Sequence, residues 1–369
     1  MKTIRVLQVG LTSNIGGTET FVMNLYRPID RKKIQFDFLV DHDKRLPFEE
    51  EIVKMGGCVF YEYYYVREKN KSDYSSPEEF FKKHTDIDAV HLNVQELNTL
   101  VRVLQAAKKA GIKTRILHSH NAGYMYKRNI KQKLYEAYAR MQIDGLVTQR
   151  LACSDAAAEF LFRGKGEYTV VPNAIDVKKF AFCSRTRQML RSALGVREDE
   201  VLLGFVGSFN FQKNIGFILD IMRNIVQQND KYKLLMLGQG ELFETAQNTI
   251  KENKLEEHVI CPGNKPNVNE YMSAMDLFLL PSRFEGFGIV LLEAQANGLK
   301  CFTSDGAVPV AANVTGNVTY LPLEDGAECW AKKICVTEKS RYDGQSVLSN
   351  SKYDIDKMIV MIENIYTKE

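Results

Sequence analysis

The sequence contains no apolar stretch approaching the roughly 20 residues that a membrane-spanning helix needs, and no C-x-x-C pair. Its seven cysteines (Cys58, Cys153, Cys183, Cys261, Cys301, Cys329 and Cys335) are odd in number and scattered. That pattern excludes a disulfide framework and a zinc site, and fits reduced thiols of a cytoplasmic protein. The opening MKTIRVLQVG reaches glycine too soon to read as a signal peptide. Charge of one sign is also scarce, since 49 Lys+Arg against 46 Asp+Glu leave a net of +3. With no module of basic and aromatic residues in view, nucleic acid is a poor candidate partner. Internal repeats and low-complexity tracts are absent as well.

What is present is the composition of a globular chain, 45% hydrophobic and 26% charged over 369 residues, too long for one ordinary core. Two domains are expected. The charge divides unevenly between them: residues 1–180 hold 29 Lys+Arg against 22 Asp+Glu, or +7, and residues 181–369 hold 20 against 24, or −4. A basic front half suits an anionic partner such as a phosphorylated acceptor or a membrane surface, and equally suits plain solvated charge.

The most informative stretch runs from Cys261 to Asp305. Asp276–Leu280 reads as a buried parallel strand, which Pro281 and Ser282 end. Glu285-Gly286-Phe287-Gly288 forms a loop, and Ile289–Asn297 has helical periodicity until Gly298 stops it. The N–H groups and positive end of such a helix suit an anion, and the glycines allow close approach. Glu285 and Glu293 flank that helix start. Carboxylates there would repel a phosphate, but they would accept hydrogen bonds from sugar hydroxyls on either side of a diphosphate. A nucleotide-sugar has that chemistry.

EGFGIVLLE, set in LLPSRFEGFGIVLLEAQANGL, resembles the signature of the retaining family-4 (group 1) glycosyltransferases of the GT-B fold. The resemblance extends over nearly the whole chain and is densest from 201 to 305. It implies an α/β protein of two Rossmann-like, doubly wound domains with parallel sheets facing a cleft. Residues 1–180 would form the acceptor-side domain, joined by a terminal helix at about 353–369, and residues 181–352 the donor-side domain. Within the family the chain is similar to bacterial exopolysaccharide and capsule transferases. The donor would be a nucleotide-sugar, with UDP favoured, and the acceptor a glycan or lipid-linked saccharide. No metal is expected, because a lysine and a helix terminus do a cation's work.

Other segments fit this pattern. After strand Ile4–Val9, the loop LTSNIGG leads into a helix through Gly16-Gly17; G-x-G-x-x-G is missing, which weakens a dehydrogenase reading. The Gly-Gly-x-Glu form resembles the family's first loop, facing the phosphates and acceptor. Strand Ala89–Leu92, helix Gln95–Ala110 and strand Thr114–His118 form βαβ units. The last strand ends in HSHN, where His118 and His120 share a side and lack the further ligands of a metal site. The resemblance assigns His120 to the donor sugar. Tyr61-Glu62-Tyr63-Tyr64-Tyr65 reads as a half-buried strand or as an aromatic lining for an acceptor. In 124–140, Lys127, Arg128, Lys131 and Lys133 make a basic helix, either simply exposed or in peripheral contact with the cytoplasmic membrane face.

Val170–Asp176 (VVPNAID) matches the crossing into the second domain, with alanine where glycine is usual. LLGFVGSFNFQKN then reads as a strand, a glycine loop and a helix start. Lys213 is its candidate cation for the diphosphate. The family's usual arginine is replaced by Ser208, with Asn210 and Arg283 as possible substitutes. Asn264 and Lys265, in GNKPN, occupy the loop where relatives lay the base. By the resemblance, Glu293 would hold the ribose, Glu285 the sugar, and Lys213 with the N–H groups of Phe287, Gly288 and Ile289 the leaving diphosphate. Two rivals stand beside this reading. A GT-B epimerase would need acid and base groups not identifiable here, and a non-catalytic nucleotide-sugar-binding partner subunit draws support from Ser208.

Overall fold

The computed structural model describes residues 2–61, 76–94, 97, 100–121, 123–124 and 128–367. The tyrosine run beyond Tyr61, the expected helix start at Gln95, and Lys127 lie outside them. The chain divides into two units, Met1–Ala174 with Ile355–Glu369, and Ile175–Asp354. The crossing comes earlier than the expected 180/181, because Ile175, Val177 and Phe180 are buried in the core of the second unit.

In the first unit the order is β1 (Ile4–Val9), α1 (Gly17–Tyr26), β2 (Ile34–Val40), α2 (Glu49–Lys54), β3 (Val59–Tyr61), α3 (Pro77–Lys83) and β4 (Ala89–Val94). There follow α4 (Val101–Lys109), β5 (Thr114–Ser119), α5 (Ile130–Leu146), β6 (Gln149–Ala152), α6 (Asp155–Phe162) and β7 (Thr169–Val170). The sheet order is β3-β2-β1-β4-β5-β6-β7, and every paired strand is parallel. The order reverses between β1 and β4, the kind of switch point outside which α/β sheets hold ligands. Alternation along the strands builds a core on each face. Leu7, Val9, Val90, Leu92 and Leu117 face one way, and Val6, Ala89 and Ile116 face the other.

Two boundaries differ from the sequence reading. β4 runs on past Leu92 to Val94, because the Asn93 side chain is satisfied inside the sheet, and α4 begins only at Val101. α5 begins at Ile130, not near Tyr124: the Asn129 side chain accepts from the Gln132 N–H at 2.9 Å and Gln132 caps back on Asn129.

The second unit contains α7 (Ser184–Ala193), β8 (Val201–Val206), α8 (Ile215–Val226), β9 (Tyr232–Leu237), α9 (Phe243–Glu252), β10 (Val259–Gly263) and α10 (Val268–Ala274). It continues with β11 (Leu277–Leu280), α11 (Ile289–Ala296), β12 (Lys300–Ser304), β13 (Val318–Leu321), α12 (Gly326–Val336) and α13 (Gly344–Ser349). Its parallel sheet, β10-β9-β8-β11-β12-β13, reverses order between β8 and β11. α11 is apolar nearly all round, as a helix buried on most sides must be. Gln295 fixes it, donating to Leu291 and Ala312 carbonyls while accepting from Val314 and Thr315.

The final helix, α14 (Ile355–Thr367), belongs to the first unit, where Met358, Ile362, Ile365 and Tyr366 join the core that contains Phe36 and Tyr26. Gln149 Nε2 donates to its Ile365 carbonyl at 3.2 Å. Among the described residues no helix is long and apolar enough to cross a membrane.

Candidate active site

The loops that leave β8 and β11, the two strands at the switch point of the second unit, meet each other. Arg283 N–H donates to the Gln212 carbonyl at 2.8 Å, and Gln212 Nε2 donates to the Phe284 carbonyl at 2.9 Å. These bonds bring the Lys213 ammonium onto the Glu285 carboxylate as an ion pair. The side chains are only 14% and 6% exposed. Ser282 Oγ donates to the same Glu285 oxygen at 2.6 Å, and the Glu285 N–H donates to the Ala307 carbonyl at 2.9 Å. Glu285 is thus held by Lys213 and Gln212 of one loop, by Ser282 of its own and by the Ala307 carbonyl, and its orientation is set before any ligand arrives.

Gly288 turns the chain from this loop into α11 with φ of 80°, a left-handed conformation that a residue with Cβ rarely adopts. The first N–H groups of a helix lack intrahelical partners. At the start of α11 Leu291 N–H turns back on the Gly288 carbonyl at 2.8 Å, and those of Ile289 and Val290 have no partner among the described residues and could receive an anion. Phe287 is buried against the Tyr353 ring, 5.2 Å between centroids, which pins the loop from below. Glu293 stands one turn further along, the only charged side chain of α11. Burial pushes its carboxyl up to about 7, with Lys179 pulling the other way. Among the described residues its carboxylate makes no hydrogen bond.

The remaining expected residues of this unit are positioned as follows. Ser208 is exposed on the turn after β8. Asn210 Oδ1 accepts the Lys213 N–H at 3.0 Å, so it shapes the loop. Arg283 lies over the Phe211 ring at 4.5 Å, makes no ion pair among the described residues, and lines a cavity of about 360 Å³ with Asn214 and Asp220. Asn264 is exposed and Lys265 half-buried just beyond β10.

In the first unit, Gly16 caps α1 and Gly17 begins it. The buried Glu19 turns back on this loop, accepting from Gly16 N–H at 3.0 Å, Thr12 N–H at 2.7 Å and Thr12 Oγ1 at 2.9 Å. The glutamate of Gly-Gly-x-Glu is therefore a brace for the loop and is not free for a ligand. Gly10 lets β1 pass its neighbour: a Cβ there, at φ 95°, would fall 2.0 Å from the Asn93 carbonyl oxygen.

His118 lies one residue before the end of β5 and His120 just beyond it, their rings tilted together with centroids 4.1 Å apart. Both pack against Phe21 of α1. Behind them lies a polar row that the sequence reading did not single out, formed by Gln8, His91 and Asn93, with Tyr366 from α14. Gln8 is in register with His91, and Asn93 with His118. The available signal was buried polar residues among apolar ones, Gln8 in β1, His91 and Asn93 in β4 and His118 in β5. Burial pushes His91 and His120 down to about 3 and His118 well below the usual range, with repulsion from neighbouring rings adding to it for His91 and His118.

The stretch 124–140 is less uniformly basic at its surface than its sequence suggests. Arg128 is ion-paired with buried Glu136 and lies over the Tyr124 ring at 4.6 Å, while Arg140 pairs with the same carboxylate. Lys131 and Lys133 are exposed. So are Ile130, Leu134, Tyr138 and Met141, at spacings that put them on one side of α5. Among the described residues no group of three His, Cys, Asp or Glu could hold a metal ion.

Residues 186–334 match the family described as glycosyl transferases group 1, and residues 15–179 match glycosyltransferase family 4. EpsF of Bacillus subtilis (strain 168), named as a glycosyltransferase, is 30% identical over 370 residues, covering 98% of this chain and 96% of its own. The UDP-Gal:alpha-D-GlcNAc-diphosphoundecaprenol alpha-1,3-galactosyltransferase of Escherichia coli is 25% identical over 244 residues, 64% of this chain and 60% of that one. The crystal structure of Anabaena HepE in complex with UDP and glucose superposes with a TM-score of 0.78 at 16% identity, covering 99% of this chain and all of that one.

Proposed function

The chain belongs to the group 1 glycosyltransferases of GT-B fold, and on that premise we propose that it is a hexosyltransferase using a UDP-sugar. It transfers the sugar to a hydroxyl of a glycan or lipid-linked saccharide in exopolysaccharide or capsule synthesis, with retention of configuration. The observation that carries this reading is the Lys213–Glu285 pair at the carboxyl ends of β8 and β11, beside the start of α11. A diphosphate draws the Lys213 ammonium and the N–H groups of Phe287, Gly288 and Ile289, while sugar hydroxyls donate to Glu285. Ribose hydroxyls donate to Glu293, the base lies along Asn264 and Lys265, and Gly16-Gly17 faces the phosphates. His120 meets the sugar.

In the reaction the bond from the anomeric carbon to the diphosphate oxygen breaks, and a bond to the acceptor oxygen forms. The acceptor's proton passes to the leaving phosphate. Charge grows on that phosphate, and donors already in place answer it, which is why the reading assigns no metal to the step. The E. coli relative's name, with its UDP-Gal donor and diphosphoundecaprenol-linked acceptor, supports the substrate classes. A bound UDP and glucose in HepE supports the donor.

The exposed apolar side of α5 beside Lys131 and Lys133 supports a peripheral seat on the cytoplasmic face of the membrane, where a lipid-linked acceptor would be found. A non-catalytic partner subunit is favoured only by the exposed Ser208, where the family resemblance leads to the expectation of arginine. The test is incubation with a panel of UDP- and GDP-sugars and lipid-linked saccharides, following release of nucleotide and the anomeric configuration of the product. Turnover of one donor with retention is expected. Binding without turnover of any pair would favour the partner subunit.

A further inference from the structure

The buried polar row of the first unit has directions that its own backbone dictates. Asn93 Nδ2 faces two main-chain carbonyls, those of His91 at 3.3 Å and Val9 at 3.4 Å. Carbonyls only accept, so this end of the amide is the NH₂ and the other is the oxygen. Asn93 Oδ1 lies 2.9 Å from His120 Nε2, which must therefore carry a hydrogen. The same NH₂ donates to Gln8 Oε1 at 3.0 Å, so Gln8 Nε2 is the donor to Tyr366 Oη at 3.1 Å. Tyr366 then points its own hydrogen at His91 Nδ1, 2.5 Å away, and His91 Nε2–H donates to His118 Nδ1 at 3.1 Å. Every ring in the row is left with its hydrogen on Nε2. For His118 that atom is buried and has no partner among the described residues. For His120 the bare nitrogen is Nδ1, and among the described residues nothing donates to it.

We propose that Asn93 is a positioning residue which, braced by Gln8 and the His91 and Val9 carbonyls, fixes His120 as the Nε2–H tautomer and so presents Nδ1 as an acceptor to a sugar hydroxyl. The inference rests on the reading that His120 meets the sugar. It adds which atom does so, by which interaction, and what holds it there. A ring turned over would offer an N–H donor instead, leaving a sugar hydroxyl to find its acceptor elsewhere. Burial opposes protonation, so the acceptor persists through neutral pH.

Nitrogen-15 NMR on the full chain, labelled at its histidine rings, tests the assignment directly. His120 is expected with hydrogen on Nε2 and a bare Nδ1; hydrogen on Nδ1 would overturn it. In Asn93→Ala the His120 signals are expected to become a mixture of tautomers, with kcat lowered about tenfold or more and the KM for the nucleotide-sugar little changed. An unaltered tautomer in that variant would overturn the positioning role. So would full turnover in Asn93→Ala combined with an inactive His120→Ala. If His120→Ala itself turns over normally, the failure is that of the sugar-site reading, and the proposal falls with it. Should Asn93→Ala not fold, the spectrum of the unaltered protein still decides the tautomer.

Discussion

The ammonium of Lys213, delivered by the loop after β8, is paired with the carboxylate of Glu285, delivered by the loop after β11. Neighbouring strands of the switch point thus supply one charge each. The pair is neutral and shielded as it stands, and on the proposed reading a diphosphate with its sugar would engage both members. Glu285→Gln keeps the bond from Ser282 but not the charge, and should lower kcat by about 10²–10³. Glu285→Ala should abolish transfer. Either change leaves a covered ammonium without its partner, for a loss of about 1–3 kcal/mol in stability. Steady-state kinetics beside denaturant titration checks both; unaltered turnover would remove Glu285 from the site.

Glu293 should make nucleotide binding depend on pH. Its carboxyl is raised from 4.5 to about 7 by burial. Between those values the folded chain keeps a proton that the unfolded chain has released, so this group's contribution to stability falls as pH rises through the window. Ribose hydroxyls bind best to the ionised form. UDP affinity should therefore rise with pH up to about 7, by at most about tenfold per unit, and level off above. Calorimetric titrations at pH 6 and 8 check this, and Glu293→Gln should flatten the profile. Affinity that falls over the same range would contradict the assignment.

The histidine row has the opposite sign. His91 and His120 are pushed from 6.5 to about 3, and His118 is lowered as well. Below 6.5 the unfolded chain gains protons that the folded chain refuses, so stability is complete above 6.5 and is lost as pH falls. Three such groups outweigh the single opposing Glu293. Denaturation midpoints in urea should drop between pH 7 and 5.5, above the range in which ordinary carboxylates titrate. A flat response would mean that the rings are not buried as neutral groups.

The exposed side of α5 should bind anionic phospholipid vesicles. Ile130 and Leu134 are 71% and 65% exposed and Met141 is 80% exposed, beside Lys131 and Lys133. Sedimentation with vesicles should show binding at 0.1 M salt, where charges are screened beyond about 10 Å, and weaker binding at 1 M, where the screening length is about 3 Å. Replacing Ile130, Leu134 and Met141 together by serine should remove the binding and leave the fold unaffected. Equal binding by that variant would place any membrane contact elsewhere.

The architecture was legible because its signals are local. Buried runs such as LLGFV and DLFLL, glycines after strands and helical periodicity in IVLLEAQAN are each contained in one stretch of chain. Glu285, Glu293 and Lys213 stood out as candidates for the same reason, as charged residues in or beside such elements. Their partners did not. Nothing in the sequence says that Lys213 and Glu285 are paired, or that Gln212 reaches the carboxylate, because those contacts join segments 72 and 73 residues apart. The row of Gln8, His91, Asn93 and Tyr366 was missed because it becomes a row only once the strands are in register and α14 has packed against them. Arg128 was read as surface charge, since its partner Glu136 lies two turns into a helix whose start was misjudged.

The central claim is that the loops around Lys213, Glu285 and Glu293 bind a nucleoside diphosphate sugar without help from a metal ion. Thermal unfolding in EDTA, with UDP, GDP and their sugars added in turn, tests it most directly. A ligand at about 100 times its Kd adds roughly 2.7 kcal/mol to the native state. UDP and one UDP-sugar should raise the midpoint by such an amount, and Lys213→Ala should abolish the rise. A midpoint unmoved by every nucleotide, or moved only when a divalent cation is restored, would contradict it.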